Sequence, residues 1–157
     1  MSEQTAIITG SYGDIGNAIA KRFVANKIKV ALVGRDINKL KSQRNELSKI
    51  KKTDISILEV DIRDSKNLKE SLENIVKSWG RIDVLVNNAG LTRDNIILRM
   101  SDEDWDDVID SNLTSVFNMT KLFIKSMVKN RSGRIINISS VAGLMGNPGQ
   151  VNQSNGG

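Results

Sequence analysis

The chain has 157 residues, a formal charge of +5 and a hydrophobic share of 39%, values that suit one soluble domain with a packed core. It contains no cysteine and no histidine, which excludes disulfides and leaves no ligand for a Cys/His zinc site and no base for a histidine-based triad. No apolar stretch reaches the ~20 residues that span a bilayer, and the N-terminus lacks a signal-peptide pattern, so we expect a cytoplasmic protein.

The basic residues are scattered along the sequence. Lys and Arg number 23 against 18 Asp and Glu, and the only dense cluster spans residues 49–52. Such a surplus could favour an acidic partner, such as a nucleic acid, an anionic cofactor or an acidic carrier protein, but the scattered placement favours an ordinary solvated surface. No nucleic-acid-binding motif accompanies these residues, so we expect no binding to nucleic acid.

Short apolar runs alternate along the chain with longer amphipathic segments. The apolar runs predict strands at 5–9, 28–33, 55–60, 82–86 and 134–139. The amphipathic segments predict helices at 15–26, 37–51 and 65–79, and a long helical stretch at 102–130 broken near Asn112. This alternation predicts the α/β class, with a doubly wound parallel sheet of about five strands. Glycines and the only proline predict an irregular tail, so we place a domain at 1–142 and a tail at 143–157.

A glycine-rich segment, residues 9–16, joins the first strand to the first helix. Glycines there permit a tight turn, and the free amides at the start of a helix can bind a pyrophosphate. The segment is also compatible with an ordinary strand-to-helix turn. A carboxylate at Asp14 is unfavourable beside a diphosphate unless it points away. The candidate cofactor-binding residues of the loop are Gly10, Ser11, Gly13, Asp14, Ile15 and Gly16.

The residues after the second predicted strand are Gly34, Arg35 and Asp36. An acidic side chain directly at this strand end accepts hydrogen bonds from the adenosine ribose of NAD, whereas an arginine suits the 2′-phosphate of NADP. Arg35 holds that position, so the sequence favours NADP(H). The alternative is that Arg35 is a surface residue and that Asp36 caps the next helix.

Four blocks resemble those of the short-chain dehydrogenase/reductase family. They are the loop at 9–16, Asp61-Ile62, Asn87-Asn88-Ala89-Gly90 and Ser139-Ser140. The loop resembles the family pattern Thr-Gly-x-x-x-Gly-x-Gly, except that Asp14 stands at the middle glycine. The resemblance implies a Rossmann-type fold, adenine contacts from Asp61 and Ile62, and a cofactor that packs beside the backbone of Asn88, Ala89 and Gly90.

Residues 91–100 and 147–152 resemble the 3-oxoacyl-acyl-carrier-protein reductase branch of that family. The resemblance implies homo-oligomers that act in fatty-acid synthesis, with hydride transfer from NADPH to a β-ketoacyl thioester on acyl carrier protein. It implies that Ser140 hydrogen-bonds the substrate carbonyl and that Asn112 anchors a proton-relay water. A serine at a strand end is otherwise a common turn residue, and a helical asparagine can merely bend its helix. Relatives that act on other small ketones or alcohols share these blocks.

Two positions of the family's catalytic set hold other residues. The family's tyrosine and lysine correspond to Gln153 and Gly157. Glutamine cannot donate a proton near neutral pH, and the loss of a general acid costs roughly 10²–10⁴-fold in rate. The sequence also stops where the family's next long helix and last two strands would follow. The resemblance therefore implies a truncated reductase that is inactive as it stands, and the alternative is a catalytically silent nucleotide-binding remnant.

Overall fold

The structure, a computed structural model, describes residues 3–154. Within that range, the strands are β1 (Thr5–Thr9), β2 (Lys29–Gly34), β3 (Ile55–Glu59), β4 (Val84–Asn87) and β5 (Arg134–Asn137). The helices are α1 (Asp14–Ala25), α2 (Ile37–Ser48), α3 (Ser65–Trp79), α4 (Asp102–Ile109), α5 (Ser115–Lys129), α6 (Ala142–Met145) and α7 (Val151–Ser154). A 3₁₀ turn covers Ile97–Arg99, and a π-helical turn covers Asp110–Thr114.

All five strands are parallel, and their order in the sheet is β3-β2-β1-β4-β5. This arrangement confirms the predicted α/β class and the doubly wound sheet. The strand order reverses between β1 and β4, because the chain crosses from β3 at one edge to the other side of β1. Loops diverge at such a switch point and leave a crevice at the carboxyl ends of the strands, where open α/β sheets bind ligands.

The core consists of two apolar clusters, one on each face of the sheet. Side chains alternate along a strand, so Ile7 and Ile8 of β1 point to opposite faces. Ile7 belongs to the cluster that includes Leu68 of α3 and Phe123 of α5. Ile8 belongs to the cluster that α1 and α2 cover, which includes Leu40. Because β1 is buried on both faces, it reads in the sequence as a continuous apolar run, and its predicted bounds are correct.

The structure differs from the predicted elements mainly at their ends. β4 begins at Val84 rather than at Ile82, and the carboxylate of the preceding Asp83 accepts hydrogen bonds from the amide and hydroxyl of Thr5. The long helical stretch is divided by the π-helical turn that contains Asn112, which confirms the predicted break. The irregular structure predicted for the tail is wrong in part, because α6 and α7 each form one short turn there.

The edges of the sheet are β3 and β5. Within the described residues, β5 pairs with β4 alone, and three of its four residues are exposed. No helix in the described part of the chain is long and apolar enough to cross a membrane.

Candidate functional site

A cleft of about 460 Å³ lies at the carboxyl ends of β1 to β4, at the switch point of the sheet. Its walls are the glycine loop, the ends of β2 and β3, and the segment after β4. A second cavity of about 340 Å³ adjoins it, and residues 88–91 line both. The two spaces together follow the crevice in which this class of sheet binds elongated ligands.

The glycine loop packs directly against the segment after β4. Gly10 has a φ of +59°, and a Cβ on it would lie 2.8 Å from Ala89 Cα. A Cβ on Gly16 would lie 2.5 Å from the carbonyl oxygen of Gly10 and 2.8 Å from Asn88 Nδ2. The Asn88 amide donates to the carbonyl oxygens of Thr9 and Gly10, at 3.1 Å each. Only glycine therefore fits at positions 10 and 16 without displacing this segment.

The first turn of α1 faces the cleft. Gly13 is its N-cap residue and has no side chain to satisfy the first amides of the helix, which have no partner within the helix. Gly13, Asp14 and Ile15 all line the cleft. The helix thus presents unpaired donors and the positive end of its dipole, a combination that binds phosphate groups. The exposed Asp14 stands at the first helical position, on the same wall.

The predicted loop residues divide into two groups. Gly10, Gly13, Asp14 and Ile15 line the cleft, whereas Ser11 and Gly16 do not. Ser11 is fully buried behind the loop, and its hydroxyl donates to Gln43 Oε1 at 3.0 Å. The structure thus places the side chain of Ser11 away from the cleft wall, in contact with α2.

Tyr12 is a cleft residue that the sequence reasoning missed. Its ring covers Gly34 at the end of β2, where a Cβ would lie 2.4 Å from Tyr12 Cε1. Lys39 Nζ lies 5.4 Å from the centre of the same ring. Tyr12 is the only aromatic residue in a loop of small residues, which is the signal that could have identified it. Val60, Leu91 and Ser111 also line the cleft and were not among the predicted residues.

Arg35 and Asp36 have different roles. Arg35 is exposed on the cleft wall and forms no ion pair within the described residues. The Asp36 carboxylate is the N-cap of α2 and accepts from the amides of Asn38 and Lys39, at 2.9 and 3.1 Å. The position after β2 therefore offers the cleft a free cation, while the neighbouring carboxylate is engaged in the cap.

Asp61 and Ile62 line the cleft at the end of β3. Arg63 holds the Asp61 carboxylate with Nε 3.1 Å from Oδ1 and Nη2 2.8 Å from Oδ2. This hydrogen-bonded pair lowers the pKa of Asp61 and raises the pKa of Arg63. Arg63 also reaches Asp107 of α4, with Nη1 2.6 Å from Oδ1. An amine that bound Asp61 would thus meet an ionised acceptor already shared with Arg63.

The second cavity brings together Asn112, Ser140 and Gln153. Asn112 projects from the π-helical turn, a feature frequent at functional sites. Its Oδ1 accepts from the Leu91 amide at 2.8 Å, and its Nδ2 donates to the Leu91 carbonyl at 3.0 Å and to Gln153 Oε1 at 3.3 Å. Gln153 Nε2 donates to the same carbonyl at 2.7 Å. Ser140 lies across the cavity, and its hydroxyl accepts from the Ala142 amide at 3.2 Å.

The residues described around the second cavity are all uncharged. None of them carries a carboxyl, amine or phenol group. Gln153 is buried, and both ends of its amide are hydrogen-bonded within the chain. The described residues therefore position polar groups in this cavity but supply no proton donor near neutral pH. Gly157, which the resemblance assigns to the position of the family's lysine, lies outside the described residues.

Comparison with known proteins extends across nearly the whole chain. Residues 4–154 match the short chain dehydrogenase family. The 3-oxoacyl-[acyl-carrier-protein] reductase FabG of Salmonella typhimurium is 43% identical over 147 residues, which are 94% of this chain and 59% of that protein. The protein of the same name from Thermotoga maritima is 45% identical over 152 residues, which are 95% of this chain and 60% of that protein.

The fold has an equally extensive match among solved structures. The crystal structure of a metagenomic short-chain oxidoreductase in complex with NADP superimposes with a TM-score of 0.92 at 29% identity, covering 98% of this chain and 70% of that one. The chain spans about 60% of the length of the curated relatives it matches. The matched residues include the glycine loop, the segment after β4 and the walls of both cavities. The chain belongs to the short-chain dehydrogenase family of oxidoreductases.

Proposed function

We propose that this chain is the NADP(H)-binding part of a 3-oxoacyl-acyl-carrier-protein reductase, whose substrate is a β-ketoacyl thioester on acyl carrier protein. The observation that carries the proposal is the glycine loop at the switch point. Positions 10 and 16 have no room for a Cβ, and the loop turns directly into the unpaired amides of α1. The 43–45% identity to reductases of that name supports the substrate class.

The residues of the cleft suit the parts of an NADP molecule. The amides of residues 14 and 15, at the start of α1, would hold the pyrophosphate, and Arg35 would hold the 2′-phosphate. Asp61 and Ile62 would contact the adenine, while Asn88, Ala89 and Gly90 would lie beside the cofactor on the opposite wall. The bound nicotinamide would supply the hydride. Two independent features fit such a ligand, the cradle that a Cβ would fill and the unpaired cation at its end.

The second cavity would hold the carbonyl group of the substrate. The Ser140 hydroxyl can rotate to donate to a carbonyl oxygen, because its only described contact is the bond it accepts from Ala142. Asn112 would keep Leu91 and Gln153 in place around the reacting group. Gln153 stands where the family has its proton donor and cannot deliver a proton. The chain as it stands would therefore bind the cofactor and reduce a ketone roughly 10²–10⁴-fold more slowly than a member with that donor.

A second candidate function is nucleotide binding without reduction. The specific observation in its favour is that the Gln153 amide is buried and engaged at both ends, which fills the proton-donor position with an inert group. The two candidates agree on the cofactor cleft and differ only in turnover. A short β-ketoacyl thioester added to the chain saturated with NADPH separates them by whether NADPH is consumed above the background rate.

The cofactor proposal is tested by Arg35→Ala. We expect NADPH to bind the unaltered chain more tightly than NADH, and the variant to lose about tenfold in affinity for NADPH but not for NADH, because only NADPH carries the 2′-phosphate. Arg44→Ala, an exposed arginine of α2 that does not line the cleft, is the matched control and should change neither. Equal losses for both nucleotides in Arg35→Ala, or no binding of either nucleotide to the unaltered chain, would contradict the assignment.

A further inference from the structure

Gln43 of α2 is a buried polar residue that contacts the glycine loop from outside the cleft. Its side chain is 5% exposed, and it is not among the residues that line the cleft. Gln43 Oε1 accepts from the Ser11 hydroxyl at 3.0 Å, and Gln43 Nε2 donates to the Ser11 carbonyl at 2.6 Å. The same Nε2 donates to Asn17 Oδ1 of α1 at 3.0 Å. One amide thus connects α2, the loop and α1.

Asn88 holds the loop at the carbonyls of Thr9 and Gly10. Gln43 holds the next position, Ser11, from the side away from the cleft. Gly10 and Gly13 lack a Cβ, so their backbone dihedral angles are less restricted than those of any other residue type. Ser11 lies between these two glycines, is 0% exposed, and donates its amide to the Val33 carbonyl at 3.3 Å. A glutamine can donate and accept at the same time, which is what the carbonyl and the hydroxyl of Ser11 together require.

We infer that Gln43 is a positioning residue for nucleotide binding: it fixes Ser11, and through Ser11 the direction of the amides of residues 14 and 15, without touching the ligand. This inference rests on the proposed function, in which those amides hold a pyrophosphate. The pyrophosphate is common to NADPH and NADH. Gln43 therefore governs affinity for both nucleotides equally, unlike Arg35, which distinguishes them.

The test is Gln43→Met, which keeps the length of the side chain and removes its three hydrogen bonds. We expect NADPH and NADH affinities to fall by the same factor, about tenfold, with their ratio unchanged, because buried loop groups lose their partners. Asn45→Met, on the exposed side of the same helix, is the matched control and should bind as the unaltered chain does. A changed NADPH-to-NADH ratio, or unchanged affinities in Gln43→Met, would overturn the inference.

Hydrogen exchange on the chain without nucleotide separates this inference from the proposed function. We expect the amides of residues 10–16 to exchange faster in Gln43→Met, while those of β2 and β4 keep their rates. If the unaltered chain binds no nucleotide, the proposed function fails, and the exchange rates still report whether Gln43 holds the loop. If Gln43→Met does not fold, Ser11→Ala, which removes one of the three hydrogen bonds, takes its place, with a smaller loss of affinity of about threefold expected. Unchanged exchange at residues 10–16 would contradict the positioning role.

Discussion

The cleft beside the glycine loop and the cavity beside Asn112 share the wall formed by residues 88–91, yet their other walls differ in kind. Within the described residues, the cleft has amides without a partner in the helix, an arginine without an ion pair, and positions that admit only glycine. The cavity has serine hydroxyls and side-chain amides, and the amide of Asn112 already donates to Leu91 and Gln153. The first is equipped to hold an anionic ligand and the second to position a neutral one. Under the proposed function, nucleotide binding and proton transfer would therefore depend on separate segments of this fold and could be lost separately.

The largest expected effect concerns the cavity. Gln153→Tyr would place a phenol at the position that the proposed function assigns to the proton donor, and we expect it to raise the rate of β-ketoacyl reduction by about 10²-fold, the lower end for a general acid. Gln153→Phe adds the same ring without the hydroxyl and is the control. Rates are measured by NADPH consumption at saturating thioester. Equal rates in the two variants would mean that the lack of a proton donor at position 153 does not limit the rate of reduction.

The next largest effect concerns the cleft. Gly16→Ala forces a Cβ to within 2.5 Å of the Gly10 carbonyl oxygen, so we expect a loss of about 1–3 kcal/mol in stability and at least about tenfold in NADPH affinity. Gly13→Ala is the matched control for stability alone, because the nearest protein atom to its Cβ would be 3.5 Å away and its φ of −68° is ordinary, whereas Gly13 itself lines the cleft. Urea unfolding and nucleotide titration measure the two quantities. Equal losses of stability in Gly16→Ala and Gly13→Ala would contradict the claim that position 16 has no room for a Cβ.

A smaller effect, a gain in NADPH affinity rather than a loss, is expected from a change at Asp14. Asp14→Asn removes a negative charge from the cleft wall, so NADPH should bind about threefold more tightly at low salt, with the gain fading as salt is added. The same change removes the only acidic residue from the first turn of α1 and should lower stability by about 0.3–1 kcal/mol. Asp102→Asn, in the first turn of α4, should show only the second effect. Weaker NADPH binding in Asp14→Asn would show that the carboxylate assists the ligand.

The smallest effect tests the ion pair at the adenine end of the cleft. Because Arg63 lowers the pKa of Asp61 in the folded chain, the pair stabilises the fold above the ordinary carboxyl pKa, about 4, and this contribution disappears as the pH falls through the lowered value. Arg63→Met should therefore be less stable than the unaltered chain at pH 7, with the difference narrowing below about pH 4. Urea unfolding at several pH values measures it. A difference in unfolding free energy that stays constant down to pH 2.5 would show that it does not arise from the Asp61–Arg63 ion pair.

Much of the fold follows from the sequence because its signals are local. β1 is covered on both faces and reads as an uninterrupted apolar run, and α3 has the predicted bounds, with Asp64 as a capping residue at its start and Gly80 in a left-handed conformation at its end. The break near Asn112 was predictable because a polar residue interrupts the apolar pattern there. The hydrogen bond between Asp83 and Thr5 just before β4 was not, because the two residues lie far apart in the sequence.

The site residues likewise divide into those that the sequence predicts and those that it does not. The glycine loop, Arg35 and Asp61 each follow a strand, so their place at one edge of the sheet follows from the parallel topology. Tyr12 had a sequence signal, as the only aromatic residue of the loop. Gln43 had none, because its role depends on how the loop packs against α2. The assigned roles of the predicted residues remain predictions.

The most direct test of whether cofactor binding and reduction are separable is one titration of the unaltered chain with NADPH, monitored by the fluorescence of the nicotinamide. A short β-ketoacyl thioester is then added to the same saturated sample. The account predicts saturable one-to-one binding of NADPH, followed by consumption at least about 10²-fold slower than that of a family member with its proton donor in place. Absence of saturable binding would contradict the role of the cleft, and consumption as fast as in such a member would contradict the role of the cavity.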